Sequence, residues 1–492
     1  MPHIFDIIRK DANARIGKLK TPHGIVETPT VMPVINPNIR IIDPSKMRKF
    51  GAEILIANSY IIYRNEKLAS FALEKGLHEL IGFDGPIMTD SGSFQLSVYG
   101  EVEINNIEVI KFQQEIGSDI GVPLDIPTPP FVSRSRAESE LETTLNRLRE
   151  AKDYTQKTDS DMLLSGPIQG STYTDLRGKS AREVSDIGFD LYPIGAVVPL
   201  MESYRYKDLV NVIAASKNNL SKTAPVHLFG AGHPMIFALA VSLGVDLFDS
   251  AAYALYAKDG RYITTEGTHH LSNLNYLPCV CPICSSHTAN EFKSAKNYKE
   301  LLAQHNLFVT FAEIRHIKQA IRDGNLLELV ELRCRAHPYL LDGLKEMYAH
   351  SSSMELFDPA SKSTFFYCGP ESANRPEILR FKKRMNRFTI EGSAIIRIKS
   401  SNEDEKYDNV LTFKPPFGSI PSELDEVYPF NAEVVKEHDY ESINSALLNT
   451  LQLIQLNPNA KFTFVIEKKH LHHPLMEEIK KKAEVIEYIS KF

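Results

Sequence analysis

The 492-residue chain has no tryptophan, five cysteines, no apolar run approaching eighteen residues and no excess of basic side chains. Each shortage closes off a class of protein. Without a long apolar run there is no membrane-spanning helix to read. The opening stretch MPHIFDIIRKDANARIG carries charges inside its apolar part, unlike a secretory signal, so a cytoplasmic location is expected. Lys and Arg number 56 against 62 Asp and Glu, a net charge of −6. That balance lacks the basic excess of a chain that grips phosphates with its whole surface, and any such surface must be local. Without tryptophan, stacking falls to 25 Phe and 20 Tyr. Low-complexity segments are missing too, and a hydrophobic content of 43% with 24% charged residues is that of an ordinary globular protein. The length allows two to four domains.

Three of the five cysteines, Cys279, Cys281 and Cys284, fall within six residues as CVCPIC; His305 follows on the amphipathic stretch KNYKELLAQH, while Cys334 and Cys368 stand alone. A disulfide framework explains that spacing poorly. Three thiolates and an imidazole can close a tetrahedral Zn²⁺ site with no open position, the usual form of a structural zinc. One structural Zn²⁺ is therefore the expected cofactor.

From about residue 50 to 250 a short apolar run with a polar or glycine-containing end recurs, each time followed by a longer segment of helical spacing. The runs are EILIANS (53–59), GPIMTDSGS (85–93), IGVPLDIPT (120–128), DMLLSGPIQG (161–170), LYPIGAVVP (191–199), APVHLFGAG (224–232) and VDLFDSAA (245–252). Near-continuous apolar runs suit strands buried on both faces of a parallel sheet, and RAESELETTLNRLREAKDYTQ (136–156) reads as a crossover helix. Seven such units in a row predict an α/β fold, a (β/α)8 barrel over residues 1–345 that includes the zinc segment 279–305. Serine and proline then break the rhythm. An accessory α+β domain is expected over 346–425 and a second small α+β domain over 426–492.

The polar ends of the runs carry the functional signal, because barrel strand ends converge on one face. Asp90 and Asp249 lie there beside small residues (DSGS, DSAA). Two such carboxylates, one a nucleophile and the other moving a proton, are the parts of a retaining displacement at an anomeric carbon; singly, each also fits a capping role. Phe94, in the polar loop SGSFQ, can stack on a flat heterocycle or serve as an ordinary core residue, while Asp125 and Gln169 offer acceptor and donor edges to a purine-like ring. Gly195, Ala196 and Val197 offer backbone groups with little side chain in the way, or simply pack. FGAGHP (229–234) is a weak phosphate-loop signal without a Walker lysine, and His233 reads as structural. RPEILRFKKRMNRF (375–388) concentrates six basic residues and is a candidate phosphate-contacting surface or a solvated helix face.

DSGSFQ, PLDIPT, GPIQG, GAVVP, FGAGHP, FDSAAYALYAKDGR and CVCPIC with His305 occur in one order that resembles the archaeal tRNA-guanine transglycosylases which initiate archaeosine synthesis. ESANRPEILRF (371–381) and IPSELDEVYPF (420–430) are similar to the archaeal branch. The resemblance implies exchange of guanine at position 15 of the tRNA D-arm for 7-cyano-7-deazaguanine (preQ0), without ATP. It implies Asp249 as nucleophile on the ribose C1′, Asp90 as general acid and base, and Phe94, Asp125, Gln169 and the Gly195–Val197 run as the base-binding set. It further implies a homodimer. Longer members carry a C-terminal PUA domain; no such pattern is read before Phe492, which raises the expectation of a separate PUA-domain protein as partner, beside tRNA and preQ0. Two other readings, an archaeosine synthase-like paralogue and a non-catalytic tRNA-binding subunit, fit less well with both aspartates and the full Cys3His set present.

Overall fold

The computed structural model describes residues 4–93, 104–399 and 404–488. It divides into two compact units, one up to Met347 and one from Tyr348. The first opens with an antiparallel sheet of β1 (Phe5–Asp11), β2 (Ala14–Thr21) and β3 (Gly24–Thr28). Eight parallel strands follow: β4 (Thr30–Ile35), β5 (Leu55–Asn58), β6 (Ile87–Asp90), β7 (Ile120–Gly121), β8 (Leu163–Leu164), β9 (Tyr192–Ile194), β10 (Val226–Leu228) and β11 (Leu247–Ser250).

Pairing runs in chain order from β4 to β8 and from β9 to β11, and β11 returns to β4 with Asp249 opposite Met32. Bridges Ser165↔Leu191 and Ile168↔Ile194 join β8 to β9, closing the expected (β/α)8 barrel. Seven of the strands are the apolar runs read in the sequence. The eighth, TVMPVI of β4, carries Pro33 in its middle, which argues against a central strand when only sequence is read.

Burial explains the strands. Ile56, Met88, Ile120, Leu191 and Leu247 fill the barrel and share one cluster with Phe5, Leu19 and Val26 of the N-terminal sheet. The crossover helix Arg134–Thr155 is capped by Ser133 and buries Ala137, Leu141, Leu145, Leu148 and Ala151, at the three- to four-residue spacing of one helix face. Its outer face carries the Arg134–Glu138 and Arg136–Glu140 pairs. Helix Tyr298–Asp323, ended by Gly324 in the left-handed region (φ 73), buries Leu302, His305, Asn306, Phe311, Ile314 and Ile317. Each fully buried apolar side chain of this kind contributes about 1.5–3 kcal/mol.

In the second unit a five-stranded sheet, Gly418–Pro421, Asn409–Lys414, Ser393–Arg397, Lys461–Glu467 and Ala483–Tyr488 in spatial order, packs over one core that includes Phe381, Phe413, Phe417, Leu447 and Phe464. The expected boundary at 425/426 falls inside this unit, where Ser393–Arg397 pairs directly with Lys461–Glu467. The basic cluster is partly turned inward. Arg375 is fully buried against Glu377, Arg380 pairs with Asp358 and Glu355, and Lys383 with Glu355, while Phe381 belongs to the core. No helix among the described residues is long and apolar enough to cross a membrane.

Candidate active site

Asp90 ends β6, opposite Asn58 on β5, and Asn58 Nδ2 donates to its Oδ2 at 3.3 Å. Ser59 Oγ donates to the Asp90 carbonyl at 2.7 Å. Burial first, then the charges of Asp125 and Asp249, push the Asp90 carboxyl up to about 7, against the opposing pull of the Ser91 and Gly92 N–H groups. The carboxylates of Asp125, in the segment after β7, and Asp249, on β11, therefore both act on that of Asp90. A carboxyl held near neutrality in this way is suited to both giving and taking a proton at pH 7.

Asp249 is 8% exposed. Its Oδ1 receives two donors, His227 Nε2 at 2.8 Å and the Gly230 N–H at 2.7 Å, and among the described residues no hydrogen bond falls on Oδ2. His227, on the adjacent strand β10, is fully buried, and among the described residues its Nδ1 lacks a partner. With the carboxylate accepting, Nε2 carries the proton of this bond. Sequence reading missed His227, although a histidine inside the apolar run APVHLFGAG was a visible anomaly. The same loop, read weakly as a phosphate cradle, instead serves Asp249: Gly230 adopts φ 67 and donates its N–H. Gly232 passes so close to Ser250 that a Cβ there would lie 1.7 Å from the Ser250 Oγ. His233 caps the following turn, accepting from Met235 N at 3.3 Å.

Gln169 Nε2 donates to Asp125 Oδ2 at 2.6 Å, and the Asp125 N–H donates to Ser93 Oγ at 3.0 Å. Both side chains are buried, burial holds the Asp125 carboxyl above its ordinary value, and among the described residues Gln169 Oε1 has no partner. An unpaired buried acceptor costs stability unless something donates to it; an N–H of a planar ring would. Gly195 passes directly over this amide, and a Cβ there would lie 2.2 Å from Gln169 Nε2. Its own backbone is occupied, the N–H donating to Ile168 O at 3.2 Å and the carbonyl accepting from Arg177 Nη2 at 3.0 Å. Ala196 adopts φ 59, and Val197 is fully buried. Phe94 lies outside the described residues.

Arg177 was also missed. It sits on helix Thr174–Ile187, where a charged residue reads as solvent-facing, yet it is fully buried. Its guanidinium donates to the carbonyls of Ser171 (2.8 Å), Ile168 (2.8 Å) and Gly195 (3.0 Å). This fork ties together the strand ends that carry Gln169 and Gly195, and burial lowers its pKa to about 9.

Cys279, Cys281, Cys284 and His305 come together with their ligand atoms within 4.8 Å of one another. His305 Nδ1 lies 3.5 Å from Cys281 Sγ and 3.3 Å from Cys284 Sγ. Its other nitrogen, Nε2, is 3.0 Å from the Ile263 carbonyl, which fixes the tautomer that leaves Nδ1 as the ligand atom. Tyr262 stacks on the imidazole at 3.6 Å and brings its hydroxyl within 3.2 Å of Cys284 Sγ. Asn306, next on the helix, binds the Ile263 N–H and the Arg261 carbonyl. The donor set can hold a metal ion that pins the Cys279–Cys284 segment to helix Tyr298–Asp323.

Comparison with known proteins adds the chemistry's context. The family described as queuine tRNA-ribosyltransferase matches residues 10–339. A tRNA-guanine(15) transglycosylase of Methanosarcina mazei is 67% identical over 486 residues, 99% of this chain and 98% of that protein. One from Haloferax volcanii is 50% identical over 464 residues, covering 93% and 89%. One from Methanocaldococcus jannaschii is 52% identical over 455 residues, covering 89% of this chain and 69% of that protein.

Proposed function

We infer from the queuine tRNA-ribosyltransferase family, to which this chain belongs, that it is an enzyme replacing guanine at position 15 of tRNA with another base, preQ0, in archaeosine synthesis. The observation that carries this reading is high identity to tRNA-guanine(15) transglycosylases over nearly the full chain, on a barrel whose strand ends bear two unlike carboxylates. Asp249, with Oδ1 held by His227 and Gly230, attacks the ribose C1′ through its other oxygen. The C1′–N9 bond of guanosine breaks as the C1′–O bond forms, and Asp90, a proton carrier near neutrality, protonates the departing guanine. The incoming base surrenders its N9 proton to Asp90, N9 attacks C1′, and Asp249 is released. One glycosidic bond replaces another, so no ATP is consumed.

Asp125 and the amide of Gln169 are suited to the hydrogen-bonding edge of the base, with Gly195–Val197 beside them and Phe94 as the stacking residue implied by the resemblance. His227 is a positioning residue, and Arg177 holds the base-recognition strand ends. Turning the target guanosine out of folded RNA costs roughly a few kcal/mol, offset by these contacts.

The metal that fits the Cys3His set is Zn²⁺. With bonds of about 2.3 Å to sulfur and 2.0–2.1 Å to nitrogen, a tetrahedral site puts S and N about 3.6 Å apart, close to the 3.3 and 3.5 Å seen here. Its role is structural, and no step of the exchange runs through it.

The test is release of labelled guanine from tRNA on addition of preQ0. Retention of the label with folded, metal-loaded protein and a substrate tRNA would contradict the reading.

A further inference from the structure

Among the described residues five non-glycine positions have positive φ: Ala12, Phe131, Ser171, Ala196 and Tyr204. The last four lie on the loops leaving β7, β8 and β9 on the face that carries Asp90, Asp125, Gln169 and Asp249. For a bulky aromatic this backbone region is an outlier, and such strain persists only where the surroundings impose it, most often at functional sites. Tyr204 has a partner, stacking on His337 at 4.9 Å with planes 12° apart. Phe131 is different. It holds φ 63 without gaining burial, since the residue is 57% exposed.

One side of the Phe131 ring is covered by the Arg205 guanidinium, 4.2 Å from its centroid, and Asp208 orients that guanidinium through Arg205 Nε at 2.5 Å. The loop carrying Phe131 is fixed by Ser171 Oγ to the Pro129 carbonyl (2.7 Å) and Tyr173 OH to the Val132 carbonyl (2.8 Å). The result is a rigid, exposed aromatic backed by a cation at the rim of the catalytic face.

We propose that Phe131, backed by Arg205, is a stacking platform for an unpaired nucleotide flanking the exchanged guanosine in the RNA substrate. This rests on the base-exchange reading. A guanosine turned out of its stack leaves its neighbours without one stacking partner, and aromatic rings with arginine planes are the groups on which unstacked RNA bases settle. The platform is indifferent to sequence and selects for an opened, single-stranded conformation.

The experiment measures steady-state exchange with tRNA or free base varied, and filter binding of unmodified tRNA, for three variants. Phe131→Gly removes the ring and relieves the backbone; its Tm is expected to stay level or rise, while KM and Kd for tRNA rise about tenfold and KM for the free base stays within about twofold. Phe131→Leu keeps apolar bulk without a π face and is expected to follow Phe131→Gly, whereas Phe131→Trp is expected to stay near wild type. A tRNA KM for Phe131→Gly or Phe131→Leu equal to wild type overturns the proposal, as does a matching loss for Phe131→Trp. If the wild-type chain exchanges no guanine, the base-exchange reading fails, and the binding measurements still decide the platform: an equal tRNA Kd for wild type and Phe131→Gly refutes it.

Discussion

Replacing Asp90 by Asn removes one titrating group while keeping its shape, and the consequence for stability can be worked out with its sign. The folded carboxyl is raised from 3.8 to about 7. A raised pKa means that the folded protein binds a proton the unfolded chain has already released, so this contribution to stability is complete below about pH 4 and is lost as pH rises through about 7. A shift of roughly three pH units at 1.36 kcal/mol each corresponds to about 4 kcal/mol at most. The Asn variant lacks this loss. Urea unfolding of both proteins between about pH 4 and pH 8 is expected to show the variant gaining on wild type progressively, by a few kcal/mol at the upper end. In parallel, guanine exchange by the variant is expected to fall by about 10²–10⁴, the usual worth of a general acid–base group. A stability difference that is flat across this range would refute the raised pKa. The cause has its own check: Asp249→Asn deletes one of the charges acting on Asp90 and should move the wild-type stability loss to lower pH.

Asp249→Asn is expected to abolish exchange and the covalent protein–tRNA species seen on a denaturing gel; wild-type turnover by this variant would remove Asp249 from the mechanism. His227→Phe deletes one charge-assisted donor to Oδ1, worth about 1.5–3 kcal/mol, so kcat should fall roughly 10- to 100-fold with KM for the free base little changed. A raised base KM at constant kcat would mark His227 as a binding residue instead. Metal analysis of the purified chain should find about one zinc per chain, and Cys281→Ser should lose most of it together with Tm; less than about half an equivalent in wild type would contradict a structural zinc.

Much of the candidate site could be read before any coordinates because its signals are local. Apolar runs with polar ends mark parallel strands and their functional face, which located Asp90, Asp125, Gln169 and Asp249. Three thiols within six residues, followed by a histidine on a helical stretch, marked the candidate metal-ligand set. What escaped reading has partners far away in sequence. Arg177 looks like a solvent residue of an amphipathic helix until that helix packs on the barrel and its guanidinium meets three carbonyls of neighbouring strand ends. Half of the basic cluster looked available to phosphates until Arg375, Arg380 and Lys383 met carboxylates brought by the fold.

The sequence by itself determined which residues are candidates for chemistry and that they belong on parallel strands, because hydrophobic periodicity and residue type act over a few positions. Only the tertiary structure decided how those residues behave. Closing β11 onto β4 and β8 onto β9 brings Asp125 and Asp249 close enough to raise the carboxyl of Asp90. It also sets His227 and Gly230 on one oxygen of Asp249 and leaves Phe131 strained and exposed at the rim. Electrostatic coupling and hydrogen-bond direction depend on distances of a few ångströms between distant segments, and those distances exist only once the barrel has closed.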